Sequence, residues 1–168
     1  MPFFLRKIRK AKWLNDKALT WLGTDDLQAD AIFDLKTDDN ALSVWHVEDD
    51  KSNLQVVIAA LSTTSDNLSN LDYVLVEQSV FAKAGLKVIH TRGKTVYDEA
   101  NKWHRDLVEL SAKSLINTAL LIASQRSEMK RLLPKQVLSL LQEKIMAGEI
   151  KTAELKEKLR GKIEQSPQ

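Results

Sequence analysis

His46, His90 and His104 are the only histidines in this 168-residue chain. Histidine is the side chain whose unperturbed pKa lies closest to neutrality. Beside an acid such as Asp72 or Glu77, these three could form an acid–base or metal site. Their separations of 44 and 14 residues match no zinc signature. They are therefore expected first as ordinary structural histidines, and second as a candidate polar site if folding brings them together. The chain contains no cysteine, so disulfides and thiolate metal sites are excluded, and a reducing compartment is the natural setting.

His104 also opens the letters His104-Arg105-Asp106-Leu107, which in protein kinases begin the catalytic loop with the Asp as base. The rest of that motif is missing. Ser111 stands where the magnesium-binding asparagine belongs, and there is no glycine-rich loop, Val-Ala-Ile-Lys or Asp-Phe-Gly. The segment is expected as helix, and residues two apart on a helix point about 200° apart. His104 and Asp106 would then diverge, and Asp106 would join Lys102, Glu109 and Lys113 on a solvated face of mixed charge. No Walker loop, Gly-x-Gly-x-x-Gly, Gly-x-Ser-x-Gly or His-Glu-x-x-His occurs. The chain therefore carries no intact catalytic motif, and no cofactor is expected.

Binding chemistry is better represented. Arg6, Lys7, Arg9, Lys10 and Lys12 fall within seven residues, with Trp13 next to them. Cations for phosphates and a ring for stacking would suit nucleic acid. Lys156 and Arg160 extend the basic set into the C-terminal segment. There the alternation of Lys with Glu also describes an ordinary solvated helix. The acids lie between these segments: residues 1–17 carry a net +5, 18–81 a net −10 and 82–168 a net +7. Such a layout can steer partners of opposite charge, unless folding interleaves the segments. Asp26, Asp30 and Asp34 recur at i, i+4, i+8. On a helix this costs about 0.2–0.5 kcal/mol per like-charged pair. Burial of the opposite Leu27/Ala31/Leu35 stripe would offset it.

The elements that must position these residues follow from periodicity. Phe3 to Lys10 alternates as a strand, and 24–37 reads as a helix capped by Thr24 or Asp25. Residues 41–48 and 86–91 read as strands, and 71–77, apolar on both faces, as a central one. Ser52 and Gln55 fit a capping box ahead of an apolar helix. Ala100, Trp103, Leu107 and Leu110 predict one long helix over 97–126, roughly 45 Å at about 1.5 Å per residue. Pro134 starts a further helix that ends at Gly148. Leu155, Leu159 and Ile163 stripe a last one, and the final residues, Glu164 to Gln168, are expected to fray.

The expected fold is α+β: a small mixed four-stranded sheet packed by helices over residues 1–126, with a basic helical extension over 127–168. The first residues lack a secretory layout, and the longest apolar run, 119–123, is far too short to span a membrane. A non-enzymatic cytoplasmic interaction or regulatory protein, binding another macromolecule such as a second protein chain, is the expected function. A nucleic-acid-binding module and a small enzyme with a His/acid site are the alternatives.

Overall fold

The computed structural model describes residues 1–13 and 26–166. The expected Thr24/Asp25 cap and the last two residues of the frayed end lie outside them. The chain is α+β, built on one open sheet of six strands in which every neighbouring pair is antiparallel. Its strands are β1 (Phe3–Ile8), β2 (Leu42–Val47), β3 (Leu71–Glu77), β4 (Lys87–His90), β5 (His104–Val108) and β6 (Met129–Leu132), in the order β4-β5-β2-β1-β3-β6. The sheet therefore exceeds the expected four strands, and it is not mixed.

Side-chain alternation divides the core into two halves. On one face Leu5, Trp45, Val47, Leu71, Tyr73 and Leu75 meet the helices α3 (Leu54–Thr63), α6 (Pro134–Met146) and α7 (Glu157–Glu164). On the other, Phe4, Ile8, Val44, Val74, Val76 and Leu107 meet α2 (Ala29–Asp34), α4 (Gln78–Lys83) and α5 (Ala112–Ser124), together with Trp13 of the short α1 (Lys10–Trp13). β3 is almost wholly buried, in keeping with the apolar residues on both of its faces, and it is paired on both sides by β1 and β6.

The long helix over 97–126 does not form. Residues Asp98–Trp103 make a 3₁₀ turn, His104–Val108 a strand, and the helix begins at Ala112, capped by the Ser111 hydroxyl, which accepts from Ser114 N–H. Glu109 ends β5 with φ +59°, which no α-helix accommodates. Ala100, Trp103, Leu107 and Leu110 still face the interior, from a 3₁₀ turn, a strand and the loop that follows it. Pairing of His104–Leu107 with Leu42–Trp45 of β2 overrides the local helical spacing.

Two smaller expectations also change. The helix expected over 24–37 is, among the described residues, only the six residues of α2. No Ser52–Gln55 capping box forms; Asn53 precedes α3, and its side chain bonds the Glu48 N–H and the His46 carbonyl. The 127–168 segment is not helical throughout, because it opens with β6. Leu141 of α6, Leu159 of α7 and Ile150 between them, all at most 2 % exposed, lie in the same core half as Leu5 and Tyr73. Gly148, at φ +73°, supplies the left-handed turn that ends α6.

Candidate functional site

The two basic segments come to one end of the sheet. Lys7 Nζ donates to Ser65 Oγ at 3.2 Å, and Lys156 Nζ donates to the Thr64 carbonyl and Asp66 Oδ1 at 2.9 and 2.8 Å. One three-residue stretch after α3 thus receives both lysines. Burial, followed by the charges of Lys156, Arg6 and Arg9, lowers the Lys7 pKa. Asp66 is held below the usual carboxylate range by its hydrogen bond and ion pair with Lys156. Arg160 follows Lys156 by one turn of α7.

Two of the other N-terminal basic residues, Arg9 and Lys12, meet acids. Lys12 Nζ reaches Asp30 at 2.7 Å, and Asp34 takes the Arg9 N–H at 2.6 Å and the Trp13 indole N–H at 2.8 Å. Lys10 donates its backbone N–H to Asp72, which Arg131 grips through two bonds of 2.6 and 2.9 Å. Burial works against the charge on Asp72, but the Arg131 hydrogen bonds and the Lys10 N–H keep its pKa low. Folding therefore interleaves part of the N-terminal basic block with the acids of α2. Trp13 is 2 % exposed and offers no ring for stacking. Arg6 is enclosed on the α2 side of the sheet. It donates to the Ser43 carbonyl at 2.7 Å, and its Nε is without a hydrogen-bond partner. Burial pushes its pKa down to about 10.

The histidines divide between the two faces of the sheet. His46 and His90 line a cleft of about 370 Å³ with Phe4, Gln78, Val88 and Arg105. Gln78 bonds His46 Nδ1, and His90 Nε2 donates to the Lys102 carbonyl at 3.0 Å. The His46 ring stacks on Trp103 at 5.6 Å. Among the described residues no three His, Asp or Glu side chains gather as a metal site.

His104 lies on the opposite face, within a linear polar chain. Ser43 Oγ is 2.6 Å from His104 Nε2, Thr91 Oγ1 is 2.7 Å from His104 Nδ1, and Thr91 Oγ1 donates to Asp106 Oδ2 at 2.7 Å. β2 supplies Ser43, β5 supplies His104 and Asp106, and Thr91 follows directly on β4. On a strand, residues two apart share a face. Burial lowers the His104 pKa, partly opposed by the Asp106 charge. Sequence reasoning missed Ser43 and Thr91 because their approach depends on strand order. The signal it could have used was the alternation of His104 and Asp106 within a β-branched and aromatic neighbourhood.

No family model, curated protein or solved structure matches this chain. Among the described residues, no helix is long and apolar enough to cross a membrane.

Proposed function

We propose that this chain is a cytoplasmic interaction protein that binds another macromolecule, an acidic protein chain, at the Lys7–Lys156 end of its sheet. The observation that carries this reading is the meeting of both lysines on residues 64–66. Two segments 149 residues apart in sequence bring positive charge to one place. Charge of one sign, gathered at one end, steers and orients an oppositely charged partner. The nucleic-acid alternative loses its stacking ring to the burial of Trp13, and its cations Arg9 and Lys12 are paired with acids.

The test is a titration of the full chain with a fluorescent polyglutamate peptide and, separately, a DNA duplex, over a series of salt concentrations. Peptide binding that weakens with salt, and falls at least tenfold in the double variant Lys7→Glu/Lys156→Glu, supports the proposal. Tighter binding to DNA would favour the alternative, and no binding of either at low salt would overturn both.

A further inference from the structure

We propose that Ser43 is an activated nucleophile able to take the acyl group of an activated ester, with His104 as its base and with Thr91 and Asp106 as positioning residues. This goes beyond the binding reading and does not rest on it, since it concerns other residues.

The argument is the direction in which the protons point. A carboxylate can only accept, and a threonine hydroxyl carries one proton. Thr91 gives that proton to Asp106 Oδ2 at 2.7 Å. Its oxygen must then accept from His104 Nδ1, also 2.7 Å away, which places the imidazole proton on Nδ1. In a neutral imidazole the other nitrogen is an acceptor. Ser43 Oγ, 2.6 Å from Nε2, is therefore the donor of that bond. The three bonds run one way, from Ser43 through His104 and Thr91 to Asp106. Nucleophile activation needs this polarity: a hydroxyl held against a base, with the base oriented by a third group. Here a threonine stands between imidazole and carboxylate, so Asp106 acts on the ring chiefly through Thr91, with Oδ1 3.9 Å from Nε2.

Each member is partly exposed, and the His104 and Trp45 rings meet in a T-shaped contact, 5.1 Å between centroids. Burial favours the neutral, basic form of His104 over the imidazolium. The charges acting on the ring are Asp106, which favours protonation, and, from the other face of the sheet, Arg105 and His90, which oppose it.

The step balances as follows. Ser43 Oγ forms a bond to the acyl carbon while its proton passes to His104 Nε2. The bond from that carbon to the leaving oxygen breaks, the leaving aryloxide departs with the electron pair, and His104 returns the proton to water. The products are acyl-Ser43, an aryloxide and a proton.

The experiment treats the full chain with 4-nitrophenyl acetate and, separately, with a fluorophosphonate, followed by peptide mapping. One acetyl or phosphonyl group per chain on Ser43 is the expected result. His104→Gln should slow acetylation by about a hundredfold, the lower end for loss of a general base. The rate should rise with pH through one ionisation and level off. That midpoint should fall in Thr91→Val, because the Thr91 hydroxyl oxygen, accepting from Nδ1 at 2.7 Å, favours the protonated ring. Circular dichroism checks that each variant is folded. The wild-type adduct map decides the matter even if a variant does not fold. An unmodified Ser43, an adduct elsewhere, or a folded His104→Gln that reacts at the wild-type rate would overturn the proposal.

Discussion

His104 and Asp106 stand side by side on β5, Nε2 to Oδ1 at 3.9 Å, and the Thr91 hydroxyl links them through shorter bonds. On the helix expected from the same letters they would point apart. The relationship ties the ends of three neighbouring strands, because Ser43 and Thr91 hold the imidazole from either side.

The stability of that arrangement should depend on pH. His104 has a lowered folded-state pKa, so the folded chain takes up its proton later than the unfolded chain does. Its contribution is complete above the unfolded value of about 6.5 and is lost as pH falls from there toward the lowered folded value. Urea midpoints measured at pH 8 and pH 5.5 should differ more in the wild type than in His104→Gln. Equal differences would remove His104 as the source.

Asp72 joins β3, β6 and α1 through Arg131 and the Lys10 N–H. Asp72→Ala should cost about 1.5–3 kcal/mol, since it removes two charge-assisted bonds from Arg131 and the acceptor of the Lys10 N–H. The Asp72 pKa is depressed, so its contribution is present above the unfolded value of about 3.9 and is lost as pH falls further. Urea denaturation at pH 7 and pH 3 reads both effects, and the variant should lose its disadvantage at the lower pH.

Gly93 is needed for space. A Cβ there would lie 2.7 Å from Asn101 Oδ1 and 2.9 Å from the Trp45 ring. Asn101 is 3 % exposed, and its side chain makes three bonds to Thr95, so it has little room to yield. Gly93→Ala should destabilise by about 1–3 kcal/mol, as overpacking does. A denaturation midpoint unchanged from the wild type would contradict that.

Leu159 anchors the last helix, at 1 % exposed. Leu159→Ala should cost about 2–5 kcal/mol by transfer and cavity terms. An eight-residue helix is not stable alone in water. Amide exchange should therefore accelerate throughout α7 in this variant, before the rest of the chain is affected.

Lys156 separates binding from stability. Its partner Asp66 is 73 % exposed, and such pairs contribute little. Lys156→Ala should change stability by less than about 1 kcal/mol while weakening polyglutamate binding. A large loss of stability would make the lysine structural instead.

Sequence alone determined those elements whose burial pattern is local. β3 is apolar at nearly every position and is buried on both faces. Leu155, Leu159 and Ile163 were legible as one stripe, and all three are buried. Pro134 and Gly148 mark the ends of α6 because their backbone preferences belong to the residues themselves. The 97–126 region was not legible, because a spacing of three and four residues recurs there by the coincidence of a 3₁₀ turn, a strand and a helix placed end to end. Only the tertiary structure decided that His104–Leu107 pairs with Leu42–Trp45, and with that pairing came Ser43, Thr91 and the same-face placement of Asp106. It also decided that the basic N-terminal cations would meet the acids of α2. Strand order and cross-strand neighbours are set by contacts between residues far apart in the chain, and local periodicity carries no information about them.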